Sequence, residues 1–73
     1  MARKRYDVVP SGSRWAVTTG GGTLSTHVTK VEAITAGVTV ARANQPSQLL
    51  IHRADGTIED ERTYENDPYP PRG

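Results

Sequence analysis

Two histidines, eight carboxylates and no cysteine set the chemistry open to this chain. Acid–base work would need His52 beside an acid, and Glu59, Asp60 and Glu61 are the nearest cluster in sequence. On a strand Glu59 and Glu61 share a face while Asp60 points away, which is the pattern of a charged strand that resists edge-to-edge aggregation. His52, ahead of a tight turn, is expected to hydrogen-bond locally to the hairpin or to Asp55. His27 and His52 do not have metal-box spacing and no thiolate accompanies them, so no metal ligand set is expected. Ser11, Ser13, Ser25 and Ser47 lack the nucleophile elbow of serine hydrolases. Gly20-Gly21-Gly22-Thr23 lacks the lysine and the following helix of a phosphate loop. The residues point to a non-enzymatic chain with no catalytic residue, no cofactor and no small-molecule substrate.

Binding chemistry is better represented. Arg3 and Lys4 form a basic arm that could meet phosphates, beside an exposed sheet face that would offer Arg5, Arg14, Thr18 and His27. Asp7 interrupts that set, and the isoelectric point near 8.2 falls below the value of about 9 that marks a nucleic-acid domain. A proline-rich segment, Asp67, Pro68, Tyr69, Pro70 and Pro71, could dock on a protein partner in a pre-ordered extended form or pack across its own domain through Tyr64 and Tyr69. A sheet edge could pair with a second copy to give a homodimer. A protein partner, or the chain itself, is the expected ligand, with weak sequence-tolerant nucleic-acid binding as the alternative and no membrane role.

These residues must be positioned by a small set of elements. Arg5–Pro10 alternates with period two and reads as a strand, with Tyr6, Val8 and Pro10 in one phase. Ser11-Gly12-Ser13 is a turn, and Arg14–Thr19 returns with Trp15 and Val17 on one face and Arg14, Ala16 and Thr18 on the other. After the glycine run, Thr23–Val28 is a third strand with Leu24, Thr26 and Val28 in phase. Thr29-Lys30-Val31-Glu32 is a capping box, and a helix follows from Lys30 to about Asn44. Its apolar stripe is Val31, Ile34, Val38 and Ala41, widened by Ala33, Gly37 and Val40. Gly37 inside a helix implies close approach to the sheet below. Pro46 cannot continue the helix. Gln48–Arg53 is an apolar strand, Asp55-Gly56 a hairpin turn with positive φ expected at both positions, and Thr57–Tyr64 the return strand, with Ile58 and Tyr64 in phase.

The order β-β-β-α-β-β predicts an α+β fold: one mostly antiparallel sheet with one helix on one face. Residues 1–64 form a single domain, and 65–73 an extended tail. The expected core is Val8, Trp15, Val17, Val28, Ile34, Val38, Ala41, Leu49, Ile51 and Ile58, with Arg5, Asp7, Arg14, Thr18 and His27 on the opposite sheet face. At 73 residues the chain buries only roughly 60% of its unfolded surface, so its stability is modest. Residues 1–53 carry seven basic and two acidic groups, and 54–73 two basic and six acidic. No apolar run approaches the ~20 residues of a membrane span. Tyr6–Pro10 is too short and polar for a signal-peptide core. A soluble cytoplasmic protein is expected.

Several of these pieces, in this order and spacing, resemble a known family. They are Trp15-x-Val17 with the Gly20–Gly22 turn, Thr29-Lys30-Val31-Glu32-Ala33, Ile51-His52-x-x-Asp55-Gly56-x-Ile58, and Tyr64-x-x-Asp67-Pro68-x-Pro70-Pro71-x-Gly73. Together they look like the small bacterial family catalogued as domain of unknown function 2188, over essentially the whole chain. The family typically has an aromatic where Val28 stands here, and alanine or leucine at the positions of Gly37 and Val40. The resemblance implies the fold and a cytoplasmic bacterial origin, and it implies no activity.

Overall fold

The computed structural model describes residues 3–65. Five strands and one helix follow in the expected order: β1 (Lys4–Ser11), β2 (Arg14–Thr19), β3 (Gly22–His27), α1 (Lys30–Ala43), β4 (Ser47–His52) and β5 (Ile58–Tyr64). The turns that join the strands follow from glycine. Gly12 and Gly20 both take positive φ, at 62° and 59°, where a side chain would be strained. Gly12 stands first of the two residues between the paired Ser11 and Arg14, as a tight hairpin turn requires.

The strands form one mixed sheet in the order β3-β2-β1-β4-β5. β1 lies in the middle, antiparallel to β2 and parallel to β4, with Val8 opposite both Val17 and Ile51. The outer pairs β2–β3 and β4–β5 are antiparallel. The chain therefore crosses from β1 through two strands and the helix before it returns alongside β1.

The helix covers one face of the central strands. Its N-cap is Thr29, whose hydroxyl accepts from the Glu32 amide at 3.2 Å, one half of the expected capping box. Among the described residues the reciprocal bond, from the Thr29 amide to the Glu32 carboxylate, does not form. Ala33, Gly37 and Ala41 are its buried residues and meet Tyr6, Val8, Val17, Leu49 and Ile51 of the sheet. Trp15, Ile34 and Val38 pack partly buried at the margin. A Cβ at Gly37 would lie 3.0 Å from Leu49 Cδ1 and 3.1 Å from Val8 Cγ2, so the glycine permits the close approach inferred from the sequence.

The helix end is tied down by side chains. Asn44 Nδ2 donates to Val40 O at 2.8 Å, Gln45 Nε2 to Arg42 O at 3.1 Å, and the fully buried Ser47 hydroxyl to Ala41 O. Three carbonyls that a helix terminus leaves without intrahelical partners are thereby satisfied. The Gln45–Pro46 peptide bond is cis.

Two bulges and the helix phase correct the expected core. Between Val17 and Thr18 the register of β3 slips. Ser25 and His27, opposite Val17 and Trp15, therefore face the helix side, and the phase of Leu24, Thr26 and Val28 is inverted. Leu24 is 50% exposed and Val28 63%. A second slip between Ile51 and His52 pairs Ile51 with Asp60 but His52 with Ile58. It turns Ile58 to the face away from the helix and separates it from Tyr64. Val31 is 74% exposed, because the helix seats its small residues on the sheet and tilts the Val31 stripe aside. Leu50 and Ala16 are buried on the helix-free face, among the side chains of the strands on either side.

Candidate functional site

On the helix-free face a polar cluster joins β1 to β4 and its turn. Asp7 of β1 accepts two bonds from Arg5, Nε to Oδ1 and a terminal guanidinium nitrogen to Oδ2, both at 3.0 Å. His52 of β4 places Nε2 at 2.8 Å from Asp7 Oδ2 and Nδ1 at 3.1 Å from Gly56 O. The Asp7 and His52 side chains are only 15% and 13% exposed. Burial pushes the Asp7 carboxyl up, but the hydrogen bonds from Arg5 and His52 outweigh it and hold the carboxyl below its ordinary range. The same pairing raises the already high Arg5 value.

The parallel β1–β4 pairing makes this contact, and it joins residues 45 apart in sequence. Asp7 is thus the acid that meets His52, and sequence reasoning missed it. The three acids expected nearest are engaged elsewhere: Glu59 with Lys30, Asp60 with Arg62 at 3.1 Å, and Glu61 with Gln48 at 2.8 Å. Asp55 also stays away from His52. It accepts from the Thr57 amide and hydroxyl, which depress its carboxyl. Only Gly56 of that turn has positive φ. Gly56 N–H bonds to Arg53 O at 2.9 Å, so the turn is of type I closed by a left-handed glycine rather than the doubly positive-φ form.

Geometry limits what the cluster can do. A general base needs a ring nitrogen within reach of substrate, yet both nitrogens of His52 already face acceptors. A shallow concavity of about 430 Å³ lies beside it, lined by Arg5, Asp7, Val9, Thr18, Thr19 and Gly20. Its one cation and one anion satisfy each other, and His52 does not line it. Among the described residues no group of three or more histidine and acidic side chains could hold a metal ion.

The basic candidates are dispersed. Arg5 and Arg14 share the helix-free face with Asp7 and Glu61, and Arg5 is paired with Asp7. Arg3 pairs with Glu65, and Lys4 lies exposed at the start of β1. The register puts His27 with Trp15 on the helix side, where its Nε2 lies 2.9 Å from the Ser25 hydroxyl. His27 therefore does not join Arg5 and Arg14. Asp67, Pro68, Tyr69, Pro70 and Pro71 lie outside the described residues.

The two sheet edges differ sharply in chemistry. β5 carries four consecutive charged residues, Glu59 to Arg62, the usual guard against unwanted pairing. β3, Gly-Thr-Leu-Ser-Thr-His, has no lysine, arginine or acid. Among the described residues, three of the four exposed large hydrophobics, Leu24, Val28 and Val31, lie in β3, in the residue after it or in the first turn of α1. Behind them Trp15 is covered by Lys30, whose Nζ sits 5.1 Å from the ring centroid and also pairs with Glu59. No helix among the described residues is long and apolar enough to cross a membrane.

A family model described as an uncharacterized protein conserved in bacteria (DUF2188) matches residues 6–64, a span that holds every element above except the first residues of β1. No curated protein and no solved structure matches the chain.

Proposed function

The chain belongs to the uncharacterised bacterial family DUF2188, and from that premise, which brings no activity with it, we propose that it is a non-enzymatic cytoplasmic module that binds a protein partner along its β3 edge. The observation that carries this reading is the asymmetry of the edges: β5 is guarded by charge, while β3 is uncharged and flanked by exposed Leu24, Val28 and Val31. An edge strand offers unpaired N–H and C=O groups to an incoming strand, and neighbouring apolar side chains add affinity. The closed Arg5–Asp7–His52 cluster supports a structural role for the histidine. Arg3 and Arg5, which a phosphate-binding face would need, are paired with Glu65 and Asp7.

Photo-crosslinking tests the reading. A benzoylphenylalanine at position 24 is expected to give a discrete protein adduct in cells, and the same group at position 61 on β5 is not. No adduct from position 24, or equal adducts from both, would sink it. A duplex DNA titration supplies a second check, with no binding expected even at low salt.

A further inference from the structure

We infer that the partner on the β3 edge is a second copy of this chain, β3 against β3 in antiparallel register about a two-fold axis, which joins two five-stranded sheets into one. This rests on the reading that the β3 edge is a binding surface, and it names the occupant.

A two-fold interface sets every residue near the axis against its own copy or a close neighbour. Any charge there would meet its like, and like charges directly opposed across a strand pair destabilise it. Few surface segments of this chain escape that penalty. Charged residues make up 23% of the sequence, and the other edge strand, β5, carries four of them in a row. β3 has none before His27, and His27 faces the helix side against Trp15. Thr23, Leu24 and Thr26 are exposed and uncharged, so they can sit opposite their own copies without repulsion. Lys30, just past the strand in sequence, is already held by Glu59 and by the face of Trp15, and Arg14 of β2 lies one strand in from the edge.

The bulge shapes the contact. It makes Leu24 the extra residue between Thr23 and Ser25 and interrupts the edge, which alone would blunt strand pairing. The ladder between copies is therefore short, centred on the regular stretch after Leu24, and the exposed apolar groups at 24, 28 and 31 supply the rest of the burial. The core itself gives a reason to associate. Its largest fully buried side chains are leucine, isoleucine and valine, and domains of this size commonly gain stability by oligomerising.

Sedimentation equilibrium of the purified full chain tests this. The expected mass is twice the 7.9 kDa of one chain. Two double variants refine the test: Thr23→Lys with Thr26→Lys, and Thr23→Glu with Thr26→Glu. Each alone is expected to lose the dimer while keeping the wild-type circular dichroism, and an equimolar mixture to regain it. A Thr63→Lys change on β5 should leave the dimer intact and controls for general destabilisation. A monomer for the wild type, dimers for both double variants, or no recovery on mixing each overturns the inference. A position-24 adduct with a different protein, alongside a purely monomeric chain, overturns the second copy but leaves the edge reading standing. Absence of any adduct removes both.

Discussion

His52 bridges two backbone segments through one ring, and the carboxylate it meets depends on it in turn. Asp7 is held below the ordinary carboxylate range by Arg5 and His52 against the opposing push of burial. A carboxyl lowered in the folded state contributes stability that is complete above its unfolded value of about 3.9 and is lost as pH falls through the lowered folded value. The urea midpoint of the wild type should therefore drop between pH 5 and pH 2 more steeply than that of Asp7→Asn, which should also start lower at neutral pH. Equal acid slopes would show that the cluster does not couple to folding. His52→Ala should cost about 1–3 kcal/mol in urea unfolding, because it strips a hydrogen bond from a largely buried carboxylate. Ser47→Ala belongs at the same scale. The hydroxyl is fully buried and its partner is a helix-terminal carbonyl, so a loss of about 1–3 kcal/mol is expected, measured against Ser11→Ala at the exposed end of β1 as a neutral reference.

Helix α1 seats small residues on the sheet, and Gly37 is where that seating is tightest. Alanine there gains about 1 kcal/mol of helix propensity, but its methyl would press on Leu49 and Val8 at 3.0–3.1 Å. Both of those are fully buried, and overpacking costs about 1–3 kcal/mol. Gly37→Ala should therefore be destabilising on balance and Gly37→Val more so, whereas Thr39→Ala on the exposed side of the same helix should not lower the melting temperature. A stabilised Gly37→Ala would mean the sheet yields more easily than the packing implies. The same helix shows how far the sequence could be read. Thr29, Gly37 and Pro46 mark its start, its contact and its end, and glycine or proline punctuation with period-two alternation places all five strands within two residues. What escaped were the two bulges. Each inserts one residue, and one residue inverts a strand's faces. Leu24, Val28 and Ile58 therefore moved to the surface and His27 to the helix side, with nothing in the composition to announce it. The Asp7–His52 contact escaped for a different reason: parity puts both on one face, but only the strand order makes them neighbours.

The whole molecule is organised around a first strand that ends up in the centre of the sheet. Residues 4–8 pair with 47–51, a contact of high sequence separation, so refolding followed by the single Trp15 should take about milliseconds to seconds rather than the microseconds of local helical folds. A microsecond phase carrying the full amplitude would contradict this. The sheet also explains why the net charge of +1 hides a divided chain: the acidic segment after residue 53 supplies Glu59 to Lys30 and Glu65 to Arg3, so its charge closes ends of the fold. The central place of β1 also matters on the ribosome. Synthesis delivers β1, β2 and β3 first, and they can zip together as they emerge, yet one side of β1 stays bare until β4 has been made and has left the exit tunnel. A stalled or truncated product that ends within the helix thus displays a hydrophobic strand, Tyr-Asp-Val-Val, with an open side. The finished chain hides that strand between two neighbours.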